Sequence, residues 1–379
     1  MDPILAWMQA KQEDLLVFLR AMVEIETPSG DERAIERFAD LIEDKTRDIA
    51  KVKRIKAKGF GPHLVLEFDL PGERKRGKIL GLAHSDTVHP TGTLENFPFA
   101  VRNGRVYGPG ALDIKGGIAL FIYAVRALRE LQIPVSKKVL LQINSDEEIG
   151  SDSSRTLTEK MARDCDCVLV VEPGTGLTGK LKTARKGTGD YTVRVRGIAS
   201  HAGVDFSAGA SAIVELARQI EVIAGFTDLA TGVTVNPGVI SGGTRTNVVA
   251  SDAQVEVDIR IARLKDFAAL DRKFKKLKPF DQRCTLEVTG GLNRPPMERT
   301  KAIGELFAKA KQQAWELEIA LEESATGGGS DGNFTAAMGV PTLDGLGCVG
   351  EGAHTLNENF LVERIPDRAA LLAKLMATL

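Results

Sequence analysis

The chain has 379 residues, of which 43% are hydrophobic and 27% are charged. These proportions are typical of a folded globular protein with a large core, and they exclude an intrinsically disordered chain. Its 50 basic and 51 acidic residues give a formal net charge of −1, so we expect neither nucleic acid nor a membrane surface as a partner.

The first part of the sequence alternates between helical and strand patterns. Pro3 stands near a helix start and leads into Gln12–Glu26, where apolar residues recur at helical spacing, and helices are also predicted at Asp31–Lys45 and Gly116–Leu131. Strands are predicted where apolar residues form short or alternating runs, at His63–Phe68, Lys78–Ala83, Val139–Ile143 and Cys167–Val171. Because such strands separated by helices are typical of α/β proteins, we predict a largely parallel sheet covered on both faces.

The pattern changes after about Leu181. Strictly alternating strands are predicted at Tyr191–Arg196, Gly232–Ile240 and Gln254–Ile261, with helices at Ala208–Ile223 and Leu264–Leu277. The resulting β-α-β-β-α-β order is that of a small α+β sandwich. We therefore predict an inserted domain at 184–292, which divides a catalytic domain into residues 1–183 and 293–379.

The last part of the sequence returns to the first pattern. Helices are predicted at Thr300–Trp315, Asp331–Met338 and Ile365–Leu379, with a strand at Pro341–Leu346. Two short basic segments, Lys51–Lys58 and Lys273–Lys278, are interpreted as solvated faces rather than as binding patches.

The N-terminal residues and the cysteines favour a cytoplasmic protein. The chain starts without the basic segment and apolar run of a secretory signal, and no stretch approaches the roughly 20 apolar residues of a membrane span. The four cysteines are scattered without a disulfide framework, which is typical of reduced thiols. A zinc site at Cys165 and Cys167 would need two further ligands, and none is near in sequence.

Histidines and acids stand at or after the ends of several predicted strands. They are His84 and Asp86 in GLAHSD, Asp113 in GALDIKGG, Glu147 and Glu148 in NSDEEIGS, Glu172 in VVEPG, and His354 in EGAHT. Carboxylate oxygens and imidazole nitrogens suit one or two borderline divalent cations. Two histidines and three carboxylates are enough for a dinuclear site in which Asp113 bridges the cations. The sequence therefore predicts a metallohydrolase.

Two of these acids are predicted to act without binding a cation. A metal-bound imidazole usually donates its other N–H group to a carboxylate, so Asp86 is assigned to orient His84. Glu147 adjoins Glu148, and as a general base it would take a proton from a metal-activated water and pass it to the leaving amine. This chemistry is amide hydrolysis.

Each motif also has a structural interpretation when it is considered alone. An Asp-Glu-Glu run such as 146–148 is usually a solvated charged segment, and an isolated histidine such as His84 is more often structural than a ligand. His63 and His89 are interpreted as structural. The metal site is favoured because His84 and His354 occur among the acids in the order that a dinuclear centre requires.

The ordered motifs resemble a known family. The segments HSDTV at 84–88, GPGALDIKGG at 108–117, DEEIGS at 146–151, EPG at 172–174 and SHAG at 200–203 resemble the M20 family of zinc-dependent exopeptidases and deacylases. Within that family the chain is most similar to the bacterial glutamate carboxypeptidases that cleave folates. The resemblance covers nearly the whole chain. It implies an α/β, zinc-exopeptidase-like fold with a mixed sheet covered by helices and an inserted α+β dimerisation domain.

The resemblance also implies a role for each residue of the metal site. It implies two Zn²⁺ ions per subunit, with Co²⁺ or Mn²⁺ as possible substitutes. His84 and Glu172 would hold one ion, Glu148 and His354 the other, and Asp113 would bridge them. Glu147 matches the general base of the family, and Asp86 matches the residue that orients the metal-bound histidine. The Asp113–Ile114 peptide falls where relatives often have a cis bond.

Residues of the predicted insert match the family's substrate contacts. His201 matches a histidine that reaches the partner subunit's active site and stabilises the oxyanion, although local packing is the alternative for an isolated SHAG segment. The matching pocket residues are Asn247, Arg260, Arg294 and Gly328. An arginine such as Arg294 recognises a carboxylate through paired hydrogen bonds, whereas Arg260 is equally compatible with a position on the sheet surface. The expected partners are a small-molecule or short-peptide substrate with a free carboxylate and a second copy of the chain.

These residues predict a carboxypeptidase that releases a C-terminal amino acid, with glutamate as the leading candidate. The alternative enzyme is an N-acyl amino acid deacylase of the acetylornithine or succinyl-diaminopimelate type, because both reactions break an amide beside a free carboxylate. A catalytically retired metal-binding protein is disfavoured, since Glu147 and all five ligands are retained. A nicotinamide-dependent oxidoreductase is also disfavoured, because GPGALDIKGG lacks the G-x-G-x-x-G turn after a strand.

Overall fold

The computed structural model describes residues 2–73 and 75–379. Its α-helices are α1 (Pro3–Ala10), α2 (Gln12–Val23), α3 (Glu32–Thr46), α4 (Thr93–Asn96), α5 (Gly116–Glu130), α6 (Arg155–Ala162), α7 (Ala212–Ala224), α8 (Leu264–Lys275), α9 (Lys301–Glu316), α10 (Gly332–Ala337) and α11 (Ile365–Thr378). Its strands are β1 (Ala50–Ile55), β2 (His63–Phe68), β3 (Lys78–His84), β4 (Ala100–Arg102), β5 (Arg105–Tyr107), β6 (Lys138–Asn144), β7 (Cys167–Val170), β8 (Leu181–Arg185), β9 (Gly187–Arg196), β10 (Thr234–Gly242), β11 (Asp252–Ile261), β12 (Thr285–Arg294), β13 (Glu323–Thr326), β14 (Thr342–Leu343), β15 (Gly350–Glu351) and β16 (Asn359–Leu361).

Side-chain caps explain where several helices begin. Asp2 accepts hydrogen bonds from the main-chain N–H groups of Ile4 and Leu5 at the start of α1. Asp31, Ser211 and Thr300 each accept a main-chain N–H three residues ahead, at the starts of α3, α7 and α9. Each cap satisfies a donor that the first turn of a helix leaves without an internal partner.

Several segments differ from the sequence-based prediction, and two of them bear on the main sheet. The basic segment Lys51–Lys58, interpreted only as a solvated face, includes residues 51–55 of β1, an edge strand in which exposed Lys51 and Lys53 alternate with half-buried residues. Charged side chains on an edge strand discourage pairing with other chains. The strand predicted at Pro341–Leu346 is reduced to the two residues of β14.

The chain divides into two compact units, and unit 1 comprises residues 1–184, 299–325 and 330–379. Its main sheet has the order β1-β2-β6-β3-β7-β14. The strands β6, β3, β7 and β14 are parallel, whereas β1 and β2 are antiparallel. The predicted mixed α/β fold is therefore confirmed. A second sheet of unit 1 has the order β15-β16-β5-β4.

The main sheet is covered on both faces, as its strand pattern requires. Along β3, Ile79 and Ala83 belong to the large core that includes α5 and α11. Leu80 and Leu82 belong to a smaller core with Ala162 of α6. Successive side chains of a strand point to opposite faces, so both faces of β3 are apolar. Within the described part of the chain, no helix combines the length and apolar character needed to cross a bilayer.

Unit 2 comprises residues 185–298 and 326–329. Its antiparallel sheet has the order β10-β11-β9-β12, so β10 and β12 are its edges. Helices α7 and α8 pack on this sheet, and Tyr191 of β9 stacks on Phe274 of α8 with ring centroids 3.9 Å apart. The strict alternation of β9 and β11 buries every second residue in the core of this unit.

Candidate metal centre

The parallel strands of unit 1 bring distant parts of the sequence to one edge of the sheet. His84 is the last residue of β3, Glu148 lies in the turn that follows β6, and Glu172 follows β7 by two residues. The carboxyl ends of adjacent parallel strands meet at the same edge, which is where α/β proteins usually bind ligands. Asp113 lies just before α5, and His354 comes from the turn between β15 and β16.

The five predicted ligands form two groups that share Asp113. In the first group, His84 Nε2 lies 3.2 Å from Asp113 Oδ1 and 3.6 Å from Glu172 Oε1. In the second, His354 Nε2 lies 3.4 Å from Asp113 Oδ2 and 3.2 Å from Glu148 Oε2. The two carboxylate oxygens of Asp113 therefore face different histidines, as a bridging ligand requires.

The electrostatics of the cluster favour bound cations. Burial alone would lower the pKa of His84, but the carboxylates of Asp113, Asp86 and Glu172 hold it well above its usual value. Hydrogen bonds that His354 donates to the carboxylates of Asp113 and Glu148 raise the pKa of His354 to about 11. Burial raises the pKa of Glu148, because removal from water disfavours the ionised carboxylate. The same carboxylates attract divalent cations, which would compete with protons for the imidazole nitrogens on binding.

The donor set fits two borderline divalent cations. Each group offers one imidazole nitrogen, one terminal carboxylate and one oxygen of the shared Asp113, which is a donor set accepted by Zn²⁺ and by related metals. The ligand atoms of each group lie within 4.8 Å of one another. His354 remains 52% exposed and has a φ of 65°, a left-handed conformation that non-glycine residues adopt mainly where surrounding structure holds them.

Asp86 lies beside His84 and also bonds to the segment that carries Glu147 and Glu148. The ring nitrogen Nδ1 of His84 lies 2.9 Å from the main-chain oxygen of Asp86 and 3.5 Å from its carboxylate. The carboxylate also accepts hydrogen bonds from the main-chain N–H groups of Glu147 and Glu148, each at 3.1 Å, and from the hydroxyl of Ser29 at 2.7 Å. A proton on Nδ1 would leave Nε2 of His84 for a metal.

Glu147 opens the short 3₁₀ turn Glu147–Ile149 and is half-buried. A narrow cleft is lined by Glu147 together with His84, Glu172 and Asp331. The structure thus places the predicted general base beside the first ligand group, while the adjacent Glu148 belongs to the second group.

The predicted substrate residues all lie in unit 2. His201 is exposed, and its Nδ1 accepts the main-chain N–H groups of Gly203 and Val204, both at 3.1 Å. Because Nδ1 is an acceptor, a neutral ring carries its proton on Nε2, which is then available as a hydrogen-bond donor. Asn247 is exposed, and its main-chain oxygen accepts the N–H of Ala202.

Arginines surround the glycine loop of unit 2. Arg260 donates to the carboxylate of Asp258, and Arg294 is 4% exposed at the end of β12. Gly328 is exposed, and its carbonyl accepts a hydrogen bond from Arg185 at 3.3 Å. Arg185 is itself buried at the end of β8, and it was not predicted because a single arginine in a short segment gives no signal of its own.

Sequence reasoning also missed the residues that support the ligand segments. Ser29 and Glu358 both bond to these segments in unit 1. His89, interpreted as structural, is buried and contacts Glu358. Glu358 follows His354 by four residues in a polar stretch, and such a position does not by itself distinguish a buried acid from a solvated one.

The chain is similar in sequence and in fold to several known proteins. The sequence profile described as Peptidase family M20/M25/M40 matches residues 81–378. Carboxypeptidase G2 from Pseudomonas sp. (strain RS-16) is 30% identical over 382 residues, covering 97% of this chain and 90% of that protein. A succinyl-diaminopimelate desuccinylase from Xanthomonas euvesicatoria pv. vesicatoria (strain 85-10) is 28% identical over 347 residues, covering 86% of this chain and 90% of that protein. Among solved structures, aminopeptidase PepT from Bacillus cereus ATCC 10987 superposes with a TM-score of 0.78 at 25% identity, covering 97% of this chain and 98% of that one.

Proposed function

The chain belongs to the peptidase family M20/M25/M40 and is a hydrolase, and from that premise we propose that it is a dinuclear zinc exopeptidase. It would hydrolyse an amide bond next to a free carboxylate and release a C-terminal amino acid. The observation that carries this proposal is the position of Asp113, whose two oxygens face two separate histidine and glutamate pairs. Co²⁺ or Mn²⁺ would also suit these ligands.

In this proposal, different residues bind the cations, transfer the proton and position the catalytic segment during amide hydrolysis. His84, Asp113 and Glu172 would hold one cation, and Asp113, Glu148 and His354 the other. Two cations bound there would lower the pKa of a water molecule and polarise the scissile carbonyl. Glu147 would accept a proton from the attacking water and return it to the nitrogen of the leaving amine. Asp86 holds Glu147 and Glu148 in position by accepting hydrogen bonds from their main-chain N–H groups.

The leading substrate is a small peptide or peptide-like amide that ends in glutamate. Carboxypeptidase G2 is similar over 97% of this chain, and a buried arginine such as Arg294 would pair with the free carboxylate of a substrate. The second candidate is deacylation of an N-acyl amino acid. It is favoured by the 28% identity to a succinyl-diaminopimelate desuccinylase.

We also propose that the protein is a homodimer formed through unit 2. Its edge strand β10 exposes Val239 and Ile240, and α7 exposes Ile213 and Val214. An apolar edge strand is a ready site for pairing with a second copy. In such a dimer, His201 would donate from Nε2 to the oxyanion in the partner's active site. The four free thiols support the proposed cytoplasmic location.

The test is a substrate panel assayed with the zinc-loaded protein. The panel contains folate-like amides of glutamate, dipeptides that end in glutamate or in a neutral residue, N-acetylornithine and N-succinyl-diaminopimelate. The proposal predicts the highest kcat/KM for an amide that ends in glutamate. Preference for an N-acyl substrate would support the deacylase instead, and no hydrolysis of any member would contradict both.

A further inference from the structure

A buried carboxylate outside the ligand set holds the loop that carries Asp113. Glu358 is 1% exposed. Its Oε1 accepts the main-chain N–H groups of Leu112 and Asp113 at 2.8 and 3.0 Å, and its Oε2 accepts the N–H of Gly110 at 3.0 Å. The same Oε2 lies 2.8 Å from Nε2 of His89, which completes four hydrogen bonds to one side chain.

The backbone of this loop depends on those bonds. Gly110 has a φ of 68°, and Asp113 has non-helical dihedral angles although it stands just before α5. The N–H groups of a chain that approaches a helix have no carbonyl partner within the helix. Glu358 supplies acceptors for three of them, and charged acceptors make the stronger hydrogen bonds. The position of Asp113 is therefore tied to the position of Glu358.

The main chain of Glu358 belongs to the segment that carries the other ligand. Its N–H donates to the carbonyl of Thr355 at 3.2 Å, and the N–H of Thr355 donates to the carbonyl of Gly352 at 3.0 Å. His354 lies inside this turn, and β16 starts directly after Glu358. Glu358 thus connects the loop that carries Asp113, the shared ligand, with the turn that carries His354, a terminal ligand.

We propose that Glu358, fixed by His89, is a positioning residue that sets the separation between Asp113 and His354 and so the spacing of the two cations. This inference rests on the proposed dinuclear function. Glu358 does not touch the reacting atoms, and its effect passes through the two ligand segments. Loss of its Oε2 acceptor would let the Asp113 loop move, which weakens both metal sites together because Asp113 belongs to both.

The experiment compares Glu358→Gln with Glu215→Gln. Glu215 lies in unit 2, is also 1% exposed, and accepts two main-chain N–H groups, from Phe280 and Asp281, where Glu358 accepts three. The full-length proteins are stripped of metal and titrated with Co²⁺ while the visible d–d spectrum is recorded. We expect Glu358→Gln to bind both equivalents of Co²⁺ about 10–100-fold more weakly with an altered spectrum. Glu215→Gln should keep the wild-type affinity and spectrum at a similar loss of thermal stability.

A second pair of variants covers the case in which Glu358→Gln does not fold. His89→Ala removes one donor to Oε2, whereas His89→Gln retains an N–H group on a side chain of similar length. We expect His89→Ala to weaken Co²⁺ binding and His89→Gln to restore much of it. Wild-type affinity and spectrum in either Glu358→Gln or His89→Ala would overturn this inference but leave the proposed function standing. A wild-type protein that binds fewer than two Co²⁺ ions would overturn the proposed function as well.

Discussion

At the scale of single residues, the proposed mechanism depends on Asp113 and Glu147. Asp113 is the only described residue that belongs to both ligand groups, so in the proposed centre two cations would share its two oxygens. Glu147 adjoins a ligand without belonging to either group. A carboxylate in that position is suited to proton transfer rather than to metal binding.

Replacement of Glu147 by glutamine should separate catalysis from metal binding. The amide cannot accept the proton of the attacking water, so kcat should fall by about 10²–10⁴-fold. Zinc content should stay at the wild-type value, because the two ligand groups remain intact. Activity and metal are measured on the same preparation, by hydrolysis of the best substrate and by elemental analysis. Full activity in the variant would remove Glu147 from its proposed role.

His63 should make stability depend on pH without taking part in catalysis. Burial lowers its pKa, and its Nδ1 accepts the main-chain N–H of Ser145 at 3.1 Å. The unfolded chain therefore binds a proton near pH 6.5 that the folded chain does not. The contribution of neutral His63 to the unfolding free energy is therefore fully present above that pH, and it falls as the pH decreases toward the folded pKa.

The measurement for His63 is urea unfolding at several pH values between 5 and 8. His63→Asn keeps an acceptor near the position of Nδ1 but cannot titrate. We expect the wild-type unfolding free energy to fall below about pH 6.5 by up to about 1 kcal/mol per pH unit more than that of the variant. Equal slopes for the two proteins would show that His63 does not contribute.

At the scale of elements, the contact between α5 and the end of β7 fixes the sheet edge of the site. A Cβ atom at Gly117 in the first turn of α5 would overlap the carbonyl oxygen of Val171, the residue before Glu172. Glycine at this position therefore allows the helix to approach the ligand strand closely. This contact connects helix packing directly to metal binding.

Alanine substitutions in two helices should have opposite effects on stability. Alanine is normally favoured over glycine in a helix by up to about 1 kcal/mol. Gly117→Ala should nevertheless destabilise the protein by about 1–3 kcal/mol, because main-chain atoms must move, and should reduce zinc affinity. In the matched control, the three atoms nearest to a Cβ at Gly304 in α9 all belong to the side chain of Arg299, which can shift, so Gly304→Ala should stabilise the protein. Urea unfolding and zinc titration test both, and a stabilised Gly117→Ala protein would contradict the packing argument.

Elements with clear periodicity could be predicted from sequence, whereas those set by distant contacts could not. The strand His63–Phe68 and the start of α5 at Gly116 were predicted at the positions observed. Strand β1 was missed because its lysines resemble a solvated segment, and the short strands β15 and β16 have too few residues for a pattern. The mixed strand order depends on pairing between remote segments, which local patterns do not encode.

The residues of the candidate site also divide into those that could be predicted from the sequence and those that depend on distant contacts. His84 and Glu172 stand near the ends of apolar runs, so their gathering at one sheet edge could be argued from the sequence. The roles of Ser29 and Glu358 depend on main-chain donors that only the folded loops present. For that reason no spacing rule would have selected them.

At the scale of the whole molecule, the proposed dimer makes a prediction about mixed subunits. If His201 acts on the partner's active site, His201→Ala and Glu147→Gln should each be nearly inactive as pure proteins. In a mixed dimer, one site combines an intact Glu147 with the partner's intact His201. Random exchange of equal amounts should therefore restore up to about a quarter of wild-type activity.

Metal analysis and subunit controls complete the mixing experiment. Both variants should hold wild-type amounts of zinc, because neither residue belongs to the ligand groups. Subunit exchange is verified with differently tagged chains, and two copies of the same variant serve as the control. If verified mixed dimers show no more activity than the pure variants, His201 does not act across the dimer. Equal loss of zinc and activity in His201→Ala would also count against its catalytic role.

The paired-cation centre is tested most directly by anomalous diffraction from crystals of the zinc-loaded protein, recorded above and below the zinc absorption edge. The proposed centre predicts two peaks about 3.5–4 Å apart on either side of the Asp113 carboxylate. It places one peak near His84 and Glu172 and the other near Glu148 and His354. A single peak, or zinc peaks away from Asp113, would contradict it.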